Sequence, residues 1–268
     1  MADGLPDVHV TKSVTEERDL ASRRVALVTG ASQGIGAATA LALAREGCEV
    51  AVSSTRPEKL STLLDLLAAA GCRALPVALD VCLSSSIEAA VAAVIAAFGR
   101  LDVLINNAGM TLRRSAVDVT LPEWDAVMRT NVTGTYFMSQ QMGRHLIGNR
   151  RAGCIISIAS TFGVIGAAGR SAYGISKAAI IHMTRMLAIE WAEHGIRVNA
   201  IAPGRVDTPS RAGSYLDPGF IEAALRRVPL HRFASSEEVA AAACYLASPQ
   251  AAYITGQTLI MDGGLTAY

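Results

Sequence analysis

From Arg24 onward the chain alternates two kinds of apolar pattern. Short, β-branched runs appear at 25–30 (VALVTG), 49–54 (EVAVSS), 73–80 (RALPVALD), 101–107 (LDVLINN), 154–160 (CIISIAS) and 196–203 (IRVNAIAP), separated by longer Ala/Leu-rich segments of helical character. The runs are apolar at nearly every position rather than at every second one. That predicts strands covered by helices on both faces, and hence a central parallel sheet built from βαβ units. No repeat or low-complexity tract interrupts the rhythm, so residues 23–268 read as one α/β domain preceded by a mobile extension, 1–22. After Pro203 the rhythm lapses into GRVDTPSRAGSYLDPG, rich in turn formers, before two further helices and a last strand near QTLIMDGG. A stretch of that length, about 204–220, predicts a substrate loop.

Composition narrows the function. A formal charge of +1 with 51% hydrophobic residues offers neither the broad basic face of a nucleic-acid binder nor an acidic tail. No apolar stretch is long enough for a membrane span, and the first 22 residues lack a signal-peptide core, which predicts a cytoplasmic protein. Five scattered cysteines without CxxC spacing read as reduced core residues, and five histidines without an HxxxH or Cys/His cluster argue against a catalytic metal.

Two short stretches carry chemistry. The first strand ends in TGASQGIG, placing Gly30, Gly34 and Gly36 at a turn into a helix, where a doubly wound sheet takes a nucleotide pyrophosphate. The same residues satisfy GxSxG with Ser32 central, the elbow of an α/β hydrolase, although only one strand precedes it. In SAYGISKAA, Tyr173 and Lys177 are four apart on a helix and share a face, so the ammonium can favour the tyrosinate and tune the phenol for proton transfer. A surface helix with a snorkelling lysine fits that spacing too.

Taken in order, TGASQGIG, Asp80 after the third strand, NNAG at 106–109, Asn131, Ser160, Tyr173 with Lys177, and PGRVDT at 203–208 closely resemble the short-chain dehydrogenase/reductase superfamily. The closing AAYITGQTLIMDGG resembles its 3-oxoacyl-carrier-protein reductase branch. The resemblance implies a doubly wound Rossmann fold and hydride transfer between a nicotinamide and a small carbonyl or alcohol. Tyr173 would be the general acid/base, Lys177 would hold the nicotinamide ribose, and Ser160 would orient the substrate oxygen. Asn131 would mark a helix disruption that positions a relay water. The cofactor would lie against Gly30, Ser32, Gln33, Gly34, Ile35 and Gly36. Its adenosine half would meet Asp80 and Asn107, with Val81, Ala108 and Gly109 beside the cofactor. After the cofactor-binding turn at Pro203 and Gly204, Val206 and Thr208 would reach the carboxamide and phosphates. A non-catalytic dinucleotide-binding regulator is the remaining alternative, although the full tetrad is present.

At the end of the second strand Ser54 stands where an acidic residue would select NAD(H), and Arg56 follows, able to meet a 2′-phosphate; NADP(H) is therefore favoured over NAD(H). Acyl carrier protein is a weaker partner expectation: Arg151 matches one of the branch's basic positions beside the cleft, but His194 replaces the other. Arg113, Arg114 and Arg205 could ring the entrance and attract an anionic substrate, or point into solvent or pair with Asp118, Asp207 or Asp217. The segment AAIIHMTRMLAIEWA is apolar nearly all round, which with the resemblance predicts a homotetramer or homodimer.

Overall fold

The computed structural model describes residues 23–209 and 218–267. The proposed extension, 1–22, and the middle of the proposed substrate loop, 210–217, lie outside the described residues.

Seven strands form one parallel sheet in the order β3-β2-β1-β4-β5-β6-β7. They are β1 (Val25–Val28), β2 (Glu49–Ser54), β3 (Ala74–Ala78), β4 (Val103–Asn106), β5 (Gly153–Ile158), β6 (Ile196–Pro203) and β7 (Thr258–Met261). Between them run α1 (Gly34–Arg45), α2 (Ser61–Ala69), α3 (Ser84–Phe98), α4 (Leu121–Met128), α5 (Gly134–Gly148), α6 (Ser171–Trp191), α7 (Pro218–Leu225) and α8 (Ser236–Ala247). The central register sets Leu27 of β1 between Ala51 of β2 and Leu104 of β4.

Side chains alternate along β1, and both faces are apolar. Ala26 and Val28 join a core with Leu43 of α1, Leu67 of α2 and Val239 of α8. Val25 and Leu27 face the other way, onto Val91 of α3, Met142 of α5 and Leu187 of α6. This two-sided burial is why the strands read as continuous apolar runs. Two boundaries are shorter than the pattern suggests. β1 stops at Val28 because Gly30, at φ +63°, already turns the chain. β3 is an edge strand, and an edge tolerates Pro76, which has no amide hydrogen for a ladder. The sheet order reverses between β1 and β4, so the carboxyl ends of these strands open a crevice.

Candidate active site

The crevice is a cleft of about 600 Å³ running over the carboxyl ends of the strands. Every residue predicted for the site lines it except Gly36, Arg56 and Asn131. Those three have different reasons for standing outside.

Gly36 lies beneath the glycine turn, where a Cβ would come 2.5 Å from Asn107 Nδ2 and 2.7 Å from the Gly30 carbonyl oxygen. Only a residue without a side chain lets α1 start this close to β4. The Asn107 amide donates to the Thr29 and Gly30 carbonyl oxygens, both at 2.9 Å, so its nitrogen braces the turn itself. Thr29 completes the brace. Its hydroxyl accepts from the backbone N–H groups of Asn107 and Ala108 at 3.0 and 2.9 Å.

Asn131 is fully buried, one layer behind the cleft, in a π-helical turn (Arg129–Thr133) that joins α4 to α5. The disruption read from RTNVTG is therefore a real widening of the helix, of a kind frequent at functional sites. The Asn131 side chain pairs with the backbone of Met110: Oδ1 accepts from Met110 N–H at 2.8 Å and Nδ2 donates to Met110 O at 2.9 Å. Nδ2 also donates to Ser176 Oγ at 2.9 Å, and Ser176 Oγ in turn donates to the Tyr173 carbonyl oxygen at 2.7 Å. Sequence reading missed Ser176. It sits one residue before Lys177, fully buried, and links Asn131 to the helix that carries the tyrosine.

Arg56 is exposed beside the cleft mouth, and its backbone N–H donates to Ser54 Oγ at 3.1 Å. Ser54 itself is a buried lining residue, so the wall carries a hydroxyl where a carboxylate would stand. Asp80 also lines the cleft, and its Oδ1 accepts from Cys82 N–H at 2.9 Å.

At the other end, Ser160, Tyr173 and Lys177 face the same space. Ser160 Oγ accepts from Phe162 N–H at 3.2 Å. Lys177 Nζ lies 5.8 Å from the Tyr173 ring centre and donates to the Ile158 carbonyl oxygen at 2.7 Å. Burial pushes the lysine pKa down to about 8. A Cβ on Gly109 would stand 3.1 Å from Asn131 Oδ1 and 3.6 Å from Lys177 Nζ, so the NNAG glycine keeps this corner open.

A dinucleotide suits these walls on two structural grounds. Gln33, the N-cap residue of α1, makes no side-chain capping bond and the first turn holds no acid, so the helix presents unmatched backbone N–H groups to an anion. The turn also needs bare backbone: Gly30 and Gly34 have φ of +63° and +58°. A hydrolase elbow fits poorly, because among the described residues no histidine lines the cleft beside Ser32.

None of the four arginines considered for the entrance, Arg113, Arg114, Arg151 and Arg205, lines the cleft. Arg114 is paired with Glu123, Nε to Oε1 at 3.1 Å, a partner outside the three aspartates considered. Arg151 and His194 immediately precede β5 and β6, at the amino ends of the strands and so opposite the cleft within one chain. There Arg151 lies 3.6 Å from Asp102, which also holds Arg100.

The profile of a family described as enoyl-(acyl carrier protein) reductase matches residues 30–266. A 3-oxoacyl-acyl-carrier-protein reductase of Thermotoga maritima is 39% identical over 242 residues, 90% of this chain and 97% of that one. A glucose 1-dehydrogenase of Gluconobacter oxydans is 38% identical over 252 residues, 94% and 95% of the two chains. Among solved structures, an Agrobacterium tumefaciens protein named for 2-deoxy-D-gluconate 3-dehydrogenase and holding NADP superposes with a TM-score of 0.84 at 33% identity, covering 93% of this chain and 99% of that one. These matches span the glycine turn, the sheet and the Tyr173 helix together, and the chain belongs to the short-chain dehydrogenase/reductase family, NAD(P)-dependent oxidoreductases of alcohol and carbonyl groups.

Proposed function

We propose that the protein is an NADP(H)-preferring carbonyl reductase or alcohol dehydrogenase in which Tyr173 is the general acid/base. The observation that carries this reading is the convergence of Ser160, Tyr173 and the buried Lys177 ammonium on one wall of the cleft. The nicotinamide, when bound, supplies or accepts a hydride at the substrate carbon. The protein's part is to move the proton. Lys177 sets a positive charge near the phenol and stabilises its oxygen as the proton leaves. Ser160 already accepts from Phe162 N–H, which leaves its own hydrogen to donate to a substrate oxygen and steer it toward Tyr173. Asn131, locked by Met110 and Ser176, keeps the π-turn open behind them as the site of a relay water.

Ser54 and Arg56 support the preference for NADP(H): a hydroxyl rather than a carboxylate ends the strand, and Arg56, an exposed residue whose backbone bonds that hydroxyl, follows two positions on and could meet a 2′-phosphate. Self-association is supported by α6, which covers the sheet yet leaves Ile175, Met186 and Ile189 exposed along its outer face. A monomer by light scattering at micromolar concentration would remove that part of the reading. The substrate class stays at small carbonyl or alcohol compounds in a cytoplasmic enzyme; the position of Arg151 in this chain lends acyl carrier protein no support.

The test is Tyr173→Phe. Turnover of a ketone probe with NADPH should fall by about a hundred- to ten-thousand-fold while NADPH affinity holds, because only the proton donor is lost. Near-normal turnover in the Phe variant refutes the mechanism. In the wild type NADPH must bind more tightly than NADH, and Arg56→Ala must narrow that gap.

A further inference from the structure

Arg170 stands three residues before Tyr173, outside every motif of the site, and its guanidinium reaches across to the neighbouring loop. Nη1 donates to Thr111 Oγ1 at 2.9 Å and to the Leu112 carbonyl oxygen at 3.3 Å. The same guanidinium lies 5.8 Å from the centre of the Phe162 ring. Phe162 follows Ser160 closely in the chain, and its ring meets Tyr173 edge to face at 6.4 Å. A backbone bond runs parallel to this clasp, from Arg114 N–H to the Gly169 carbonyl oxygen at 3.0 Å. Thr111 is a wall of the cleft.

One side chain therefore touches the loop after β4 and the loop after β5 while itself opening the helix that bears Tyr173. Resting on the reading of Tyr173 as acid/base, we propose that Arg170 is a positioning residue: it sets the spacing between the Thr111 wall and the Ser160–Phe162 wall, and so the width of the substrate slot before the phenol. The guanidinium suits this task because it is planar, can stack on Phe162, and carries several donors in one rigid fork. A lysine could reach one acceptor but could not stack and bridge together. The cofactor's turn at Gly30–Gly36 is braced by Thr29, Asn107 and Ala108, whereas the clasp holds Thr111, Leu112 and Phe162, so the clasp governs the substrate end of the cleft.

The experiment compares the wild type with Arg170→Ala and Arg170→Lys. Two readouts are used: steady-state kinetics on a slender oxo ester (ethyl acetoacetate) and a bulky bicyclic ketone (decalone), and amide hydrogen exchange of the protein without substrate. In Arg170→Ala, kcat/KM for the slender probe should fall about tenfold or more, mostly through KM, with the ratio of the two probes moving toward the bulky one. NADPH affinity should stay within about twofold, and exchange should accelerate at 110–114 and 161–170 but not in α1. Arg170→Lys should fall between. Unchanged exchange in those loops overturns the proposal even if neither ketone is turned over. So does an unchanged KM and probe ratio, or an NADPH affinity that falls in step with activity, which would mark general loosening. The underlying reading fails separately, by turnover surviving Tyr173→Phe.

Discussion

The N-terminus of α1 and the N-termini of α4 and α8 solve the same problem in opposite ways. Every helix begins with backbone N–H groups that lack partners. At α4, Thr120 and Glu123 cap each other: the carboxylate accepts from Thr120 N–H at 3.0 Å, Thr120 Oγ1 accepts from Glu123 N–H, and Arg114 braces the carboxylate from outside. At α8, Ser235, Glu238 and Arg232 repeat the arrangement, with Arg232 Nη2 2.6 Å from Glu238 Oε1. At α1 there is no capping side chain and no acid. The difference teaches that a missing cap marks a ligand site only in the right place. The starts of α2, α3 and α6 also lack a capping side chain and a first-turn acid, but α1 starts on the glycine turn with Gln33, Gly34 and Ile35 in the wall of the cleft, where its N–H groups can meet an incoming anion.

Lys177 extends the comparison to a charge, and its removal should give the largest effect. Its ammonium is buried in the cleft, and the protein holds it at a pKa of about 8, well below its ordinary 10.5. Below pH 8 the side chain is charged in both folded and unfolded chains, so the folded state carries the whole burial cost. Between about 8 and 10.5 the folded state sheds its proton first, and stability rises with pH. Lys177→Met should therefore be more stable than the wild type at pH 7, by up to about 3 kcal/mol, in the absence of cofactor, with the gap closing toward pH 10.5. The same variant should lose turnover. Urea unfolding at pH 7, 9 and 10 checks it, and a gap independent of pH would show that desolvation of the ammonium is not the cause.

The contrast was only half visible in the amino-acid order. Strands buried on both faces announce themselves as apolar runs, and a turn needing positive φ announces itself by Gly30 and Gly34, so the fold and the glycine turn were legible. The Tyr173–Lys177 pair was legible because helical spacing alone stacks the two. What stayed hidden were the contacts made across loops. Arg114 finds Glu123 only once the chain after β4 has curled into the α4 cap, and the nearby aspartates looked equally available. Asn107 lines the cleft as expected, but nothing in NNAG tells that its amide also braces the Thr29 and Gly30 carbonyls. Ser176 is one of many small helix residues until the π-turn brings Asn131 beside it. Arg151 matched a position by alignment of pattern, and pattern carries no information about which end of the sheet it occupies.

Giving α1 a cap of its own would break the comparison, with two effects of opposite sign. Gln33 already has the extended backbone of an N-cap residue, φ −167° and ψ 173°, so Gln33→Asp can accept from the first-turn N–H groups without rearranging the turn. The unliganded protein should gain about 1 kcal/mol of stability. NADPH and NADH should both bind about tenfold or more weakly, because the new carboxylate takes the N–H groups and repels the pyrophosphate. Thermal unfolding without ligand and fluorescence titration with each nucleotide measure the two. If affinity holds, the pyrophosphate does not sit at this helix start.

The smallest effect should come from opening a closed cap. Thr120→Ala removes the hydroxyl that accepts from Glu123 N–H and donates to Glu123 Oε2, and should cost about 1 kcal/mol, or a fall in Tm of about 2 to 4 °C. Nucleotide affinity should not change, since neither Thr120 nor Glu123 lines the cleft. The pH dependence follows from the carboxylate. The Arg114 hydrogen bonds, with the Thr120 N–H, hold the Glu123 pKa down to about 2, below the ordinary 4.5. A depressed acid contributes its stability above the unfolded value and loses it as pH falls through the folded one, so the carboxylate side of the box remains intact at pH 4.5 and fades only toward pH 2. The cost of Thr120→Ala should accordingly be the same at pH 7 and pH 5. A cost that shrinks over that interval would mean that Arg114 does not hold the carboxylate in solution, and a parallel loss of nucleotide affinity would mean that the closed caps and the open one are mechanically coupled rather than independent.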